Sequence, residues 1–350
     1  MSYNFSKNEY HMANSITLKS KKRESWLYQL TDVVTELKEL LTILSLEHLE
    51  KEILSKNNLI YSFSLKVPRS FIKRMKIGDA KDPLLLQVLY NQMEFINTSD
   101  YRTDPLDEHD TPIPGLLHKH QNRVLLIIKN SCAIHCRYCF RRHFPYKHHP
   151  GNKKTWEGAL NYITLHNELD EVIFSGGDPL MAKDHELDWI ISKLEKITHL
   201  KRLRIHTRLP VVIPSRITQK LCQRIYQSRL KILFVTHINH VQEINSALRH
   251  SMHMLKCSGV TLLNQSVLLR NVNNDPTTLA KLSNGLFDAG ILPYYIHLLD
   301  KVSGVSHFLV RDDEACIILR KLMTMVSGYM VPRLIRTIPK KPYKIHINLE

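Results

Sequence analysis

The chain has 350 residues, a formal net charge of +16 from 49 basic against 33 acidic residues, and 43% hydrophobic content. That is enough apolar material for a full core, while no apolar run reaches the roughly 20 residues that cross a bilayer. The lysines are spread along the chain with no basic tail or basic helix, so the charge does not define a nucleic-acid surface and no such partner is expected.

In chain order, the N-terminal Met-Ser-Tyr-Asn-Phe-Ser-Lys-Asn-Glu has no apolar stretch after its charges. No export signal is expected, and a cytoplasmic location is the corresponding expectation. A helix is predicted over 23–56, where Trp26, Leu30, Val33, Leu37, Leu40 and Leu44 recur at steps of three or four. A second helical piece is expected after Pro68. A third is expected at Asp82-Pro83, with Asp as cap and Pro at the first helical position. Residues 101–115 lack periodicity and carry Pro105, Pro112 and Pro114 among several acids, which marks a boundary.

Beyond that boundary six short apolar runs alternate with helical stretches. The runs are Arg123–Lys129, Glu171–Ser175, Arg202–Thr207, Lys231–His237, Thr261–Val267 and Leu292–Leu298; residues 184–197 and 214–228 are examples of the helices. This order predicts an α/β fold with a parallel sheet and right-handed crossovers. Six units are too few for a closed eight-stranded barrel and suit a partial (βα)6 barrel. The expected organisation is a mostly helical region over 1–110, the partial barrel over 111–328 and a C-terminal segment over 329–350.

Chemistry concentrates in Cys132-Ala-Ile-His-Cys136-Arg-Tyr-Cys139, just after the first run. Three close thiolates are one ligand short of a structural zinc site. His135 or His143 could supply the fourth, but zinc sites usually come as two separated pairs, and no second pair exists. Cys222, Cys257 and Cys316 stand alone in apolar helical patterns and are expected in the core. On a 4Fe–4S cluster, three thiolates would leave one iron open to S-adenosylmethionine. Ser175-Gly176-Gly177-Asp178-Pro179 ends the second run, where paired glycines allow close backbone approach.

The cysteine triplet, with Tyr138 before its last member, resembles the signature of the radical S-adenosylmethionine enzymes. Cys139-Phe140-Arg141-Arg142-His143-Phe144 narrows the resemblance to the lysine 2,3-aminomutase family. Asn264-Gln265-Ser266-Val267-Leu268-Leu269-Arg270, Pro293-Tyr294-Tyr295-Ile296-His297, Ser327-Gly328-Tyr329 and Val67-Pro68-Arg69-Ser70-Phe71 extend it over almost the whole chain. The likeness is greatest to the short bacterial branch whose β-lysine serves the modification of elongation factor P.

The resemblance implies an isomerase that moves the α-amino group of L-lysine to the β-carbon. It implies a 4Fe–4S cluster on Cys132, Cys136 and Cys139, S-adenosylmethionine, and pyridoxal phosphate (PLP) on Lys344 of Pro342-Tyr343-Lys344. Ser175, Gly176, Gly177 and Asp178 would meet the methionyl part of S-adenosylmethionine, with Gln265 as a further cofactor contact. Arg141 would pair with the substrate carboxylate and Asp300 with the distal ammonium. Arg208, Arg216 and Lys119 are candidates for the PLP phosphate. An external electron donor, transfer of product to an elongation factor P-modifying ligase, and a possible homo-oligomer complete the expectation. Two departures stand out. Thr337 occupies the place of a second acid, and Pro339-Lys340-Lys341 replaces the usual glycines before Pro-x-Lys. They motivate two alternatives: an aminomutase on another amino acid, and a relative that has lost PLP.

Overall fold

The computed structural model describes residues 25–54, 63–96 and 98–349; the N-terminal stretch read for an export signal lies outside them. Among the described residues no helix is long and apolar enough to cross a membrane. The helix predicted over 23–56 is broken within its described part. Helices Trp26–Thr31, Leu37–Ile43 and Glu50–Leu54 are separated by a short strand, β1 (Val33–Val34), and by a turn at Ser45 with φ 55°. The β-branched pair favours extended backbone, and it gains an antiparallel partner in β2 (Val67–Pro68). The three-to-four spacing still does its work, because Trp26, Leu37, Leu40 and Leu44 are all buried.

After Pro68 the helix is one turn, Arg69–Ile72. At Asp82 the cap forms: its carboxylate accepts from Leu84 N at 2.8 Å and Leu85 N at 3.0 Å. The chain then runs through a string of turns and forms no regular helix there.

The six predicted strands are present, and the sheet is larger than they are. Nine strands run in the order β11-β10-β9-β8-β7-β6-β5-β4-β3. They are β3 (Leu116–His120), β4 (Arg123–Lys129), β5 (Glu171–Gly176), β6 (Arg202–Thr207), β7 (Lys231–His237), β8 (Thr261–Val267), β9 (Leu292–His297), β10 (Arg333–Arg336) and β11 (Ile345–His346). From β4 to β10 every pairing is parallel; β3 and β11 add antiparallel edges. The seventh parallel strand, β10, has only Leu334 and Ile335 as apolar residues between two arginines. It carries too little periodic signal to be read as a strand.

The hydrogen-bonded order is open, as a partial barrel requires. Its two ends nevertheless approach, since His120 Nδ1 on β3 donates to the Pro342 carbonyl just before β11, 2.6 Å away. Helices Lys153–Leu165, Asp184–Leu194, Gln219–Tyr226, Ser246–Cys257, Pro276–Asp288 and Asp312–Met323 cover the crossovers. The helix predicted over 214–228 starts late, because Thr218 caps it by accepting from Leu221 N at 3.1 Å. One apolar cluster runs from Trp26 to Leu334 and joins the N-terminal helices to the sheet. The expected core cysteines depart from that pattern: Cys257 is exposed, and Cys222 and Cys316 are half-buried.

The end of β5 fixes the loop that leaves β4. Gly177 N donates to Lys129 O at 2.8 Å and Asp178 N to Ser131 O at 2.9 Å. A Cβ on Gly176, whose φ is +119°, would lie 2.4 Å from Lys129 O; one on Gly177 would lie 2.4 Å from Ser131 O. Gly176→Ala is therefore expected to destabilise the apo-protein by on the order of 3 kcal/mol in urea unfolding. Gly158→Ala, at an open position within a helix, should instead stabilise by up to about 1 kcal/mol.

Candidate active site

The C-terminal ends of the parallel strands open on one cavity of about 570 Å³, within the range of small-molecule sites. Cys132, Cys136, Cys139, Gly176, Gly177, Asp178, Gln265, Asp300, Thr337 and Lys344 all line it, as do Arg141 and Ser175. Loops at these strand ends are where such sheets place their chemistry. The cysteine loop enters after β4, the paired glycines after β5, Asp300 after β9 and Thr337 after β10.

Burial raises the Cys132 thiol well above its usual range, and the neighbouring Asp178, Cys139 and Cys136 add to the shift. Burial likewise lifts Cys139 to about 11, with Cys136 reinforcing it. Thiols in this setting become thiolates when a cationic centre compensates them. Among the described residues no three His, Cys, Asp or Glu side chains converge on a single metal ion. The three thiols instead share one cavity wall, a donor set suited to a cluster with several irons.

Asp178 is buried and its carboxylate is fully engaged. It accepts from Thr207 Oγ1 at 2.7 Å, Arg208 N at 2.8 Å, Leu209 N at 2.9 Å and Leu180 N at 3.0 Å. Its role in the fold is to tie the end of β5 to the end of β6. Arg141 is also buried. Its Nε donates to Glu108 at 2.6 Å and its Nη1 to Ser175 Oγ at 3.1 Å and Gly176 O at 3.2 Å. Burial works against the Arg141 charge, and Glu108, Tyr146 and Cys139 together more than offset it. Nη2 makes no hydrogen bond among the described residues.

The three phosphate candidates all have other partners. Lys119 Nζ donates to Leu106 O at 2.7 Å and Glu108 at 3.1 Å. Arg216 donates to Leu180 O, Asp184 and Ala182 O, away from the cavity. Arg208 donates to Cys136 Sγ at 2.7 Å. None of this is readable from local pattern, and neither are Glu94, Glu108 and Glu243, the acids that neutralise this basic ring.

Lys344 Nζ lies 3.3 Å from His297 Nε2 and 5.1 Å above the Tyr295 ring. Burial lowers its amine from 10.5 to about 8, and Asp300 pulls the other way. Burial raises the Asp300 carboxyl to about 7, with Lys344 opposing. The Asp300 carboxylate accepts no hydrogen bond among the described residues, whereas those of Glu108 and Asp178, the other acids on the cavity wall, already have partners. The replaced glycines leave a trace as well, for Lys340 adopts φ 62°, the left-handed conformation that glycine takes easily.

An open parallel sheet with a three-cysteine loop after its first parallel strand is the arrangement of a radical S-adenosylmethionine enzyme, and the Radical SAM superfamily profile matches residues 126–233. The L-lysine 2,3-aminomutase of Escherichia coli (strain K12) is 56% identical over 339 residues, covering 97% of this chain and 99% of that protein. The protein of the same name from Buchnera aphidicola subsp. Baizongia pistaciae (strain Bp) is 52% identical over 334 residues, 95% of this chain and 98% of its own. That from Haemophilus influenzae is 51% identical over 327 residues, 93% and 96% respectively. The chain belongs to the L-lysine 2,3-aminomutase family of radical S-adenosylmethionine isomerases. Membership brings a 4Fe–4S cluster, S-adenosylmethionine and PLP as its cofactors.

The donor sets fit those groups. Three half-buried thiols face one space, and Lys344 presents an amine with a depressed pKa in the same cavity. Capture of PLP requires the free amine, whose fraction rises as pH passes through the amine's pKa. Borohydride trapping of PLP at Lys344, read by peptide mapping, should therefore rise with a midpoint near pH 8. Asp300 raises the Lys344 pKa, so Asp300→Asn should move that midpoint lower.

Proposed function

We propose that the chain is a PLP-dependent aminomutase that converts L-lysine to β-lysine by 2,3-migration of the amino group. One observation carries this reading: the cysteine triplet, Lys344, Asp300 and Arg141 line one cavity. Cys132, Cys136 and Cys139 would hold the cluster, and Gly176, Gly177 and Gln265 would lie along S-adenosylmethionine. Lys344 would carry PLP. When bound, the cluster and S-adenosylmethionine supply the radical that removes a hydrogen atom, and PLP carries the amino group that moves.

The residues of the chain do the rest. Arg141 keeps its charge beside Glu108 and can offer Nη2 to a substrate carboxylate. Asp300, the unsatisfied acid of the cavity among the described residues, is the natural partner of the distal ammonium. A bound cation would draw its carboxyl down from about 7 and hold it ionised. Apolar walls such as Leu117, Val124 and Ile173 keep water from the reacting atoms. Asp178 supports the site from beneath, tying strand ends together through its four hydrogen bonds. The loss of PLP finds no support in a half-buried Lys344 whose amine is lowered to about 8.

The product chemistry, a β-amino acid that keeps its carboxylate, suits transfer by a ligase, and modification of elongation factor P is the destination we propose. An external one-electron donor is required to reduce the cluster. Thr337 keeps one further reading open, an amino acid other than lysine. Anaerobic protein with L-lysine, S-adenosylmethionine, PLP and dithionite should yield β-lysine by chromatography. Absence of β-lysine with four irons in place would overturn lysine as substrate. Asp300→Asn should raise KM for lysine by about 100-fold, the roughly 3 kcal/mol of a buried charge pair that loses one partner.

A further inference from the structure

Cys136 differs from its two neighbours in one respect. Among the described residues it alone of the three receives a hydrogen bond from a charged side chain. Arg208 Nη1 lies 2.7 Å from Cys136 Sγ and 2.5 Å from the Tyr138 hydroxyl; Nη2 lies 2.7 Å from Gln87 Oε1 and 3.0 Å from Glu243 Oε2. The guanidinium is buried, and among the described residues its Nε finds no partner. The fork is thus aimed at the sulfur while one of its own donors goes unmet.

Its surroundings hold it there. Arg208 follows β6 directly, and its backbone N–H is fixed by Asp178 at 2.8 Å. Glu243 is fully buried and accepts from Asn239 N at 2.9 Å and His240 N at 3.1 Å. Asn239 Nδ2 donates to Gln87 Oε1 at 3.0 Å and to Tyr138 at 2.7 Å. The network closes on itself, so the guanidinium cannot swing away without breaking several bonds at once.

We propose that Arg208 is a positioning residue that sets the reduction potential of the cluster through Cys136, with Glu243 as its counterweight. Reducing a cluster adds one electron, and that negative charge is shared with the coordinating sulfurs. A cationic donor on a sulfur stabilises the reduced state and raises the potential; a carboxylate behind that donor lowers it. Deep burial strengthens both effects. The inference rests on Cys136 being a cluster ligand.

The test is a redox titration with dithionite, followed by electron paramagnetic resonance, on anaerobically reconstituted full-length protein without S-adenosylmethionine. Wild type, Arg208→Gln, Arg208→Lys and Glu243→Gln are compared at matched iron and sulfide content. Arg208→Gln should titrate at a more negative potential than wild type and Glu243→Gln at a more positive one, with Arg208→Lys between Arg208→Gln and wild type. A general loosening of the site would move all variants in one direction, and that result would overturn the proposal. So would an Arg208→Gln midpoint equal to that of wild type. If Arg208→Gln fails to hold four irons, Glu243→Gln decides, since it keeps the guanidinium; an unshifted midpoint there counts against the proposal. Wild type without a four-iron cluster would instead overturn the cofactor reading itself.

Discussion

The cysteine loop leaves β4 under a clamp of two backbone hydrogen bonds, from Gly177 N to Lys129 O and from Asp178 N to Ser131 O. The clamp demands glycine on the β5 side, because a Cβ at either of the two positions would collide with the backbone of the loop. Asp178 then passes the constraint on to the end of β6 through Thr207, Arg208 and Leu209. Three strand ends are thereby held in one register. The thiols, the paired glycines and Arg208 hang from that frame, which is why a motif that looks like a ligand cradle is first a structural joint.

Charge is the second organising constraint. The chain carries +16, and the cysteine loop itself contains Arg137, Arg141 and Arg142. Left unpaired, such buried charges would cost several kcal/mol each. Each finds a carboxylate from elsewhere. Glu94 takes Arg137 and Arg142, Glu108 takes Arg141 and Lys119, and Glu243 takes Arg208. Glu94 and Glu108 come from the segment before the barrel, so that segment is part of the active-site wall. The outcome leaves the cavity with few unmet charges, chiefly the Asp300 carboxylate and the Lys344 amine. A substrate with an ammonium at its far end completes that balance.

How far the sequence could be read depends on the range of the interactions. The strands were legible because each is a local run of β-branched and apolar residues, and the cysteine triplet because its spacing lies within eight residues. The Arg–Glu pairs were not, since Arg137 and Glu94 are 43 positions apart and Arg208 and Glu243 are 35 apart. Nothing local marks Glu108 as different from Asp107 or Asp110 beside it. The break at Val33-Val34 was hidden for a related reason. Helical spacing continues across it, and only the distant Val67-Pro68 supplies the pairing that makes extended backbone preferable.

The C-terminal segment shows how a departure in sequence can leave geometry intact. Lys340 takes a left-handed backbone at φ 62°, which costs a non-glycine residue roughly 1–2 kcal/mol. Bonds on either side offset that cost. β11 pairs with β10 at Ile335–His346 and Arg336–Ile345, Ile347 N donates to Leu334 O at 3.0 Å, and the Pro342 carbonyl receives His120. The turn is tethered at both ends, so the strain is carried by the sheet edge and not by Lys344. The amine of Lys344 is thus delivered to His297, whose own charge is suppressed first by burial and then by Lys344 itself. Burial, with Arg204 and Arg123 adding to it, is what draws the amine down to about 8, and glycine in the loop is not needed for that.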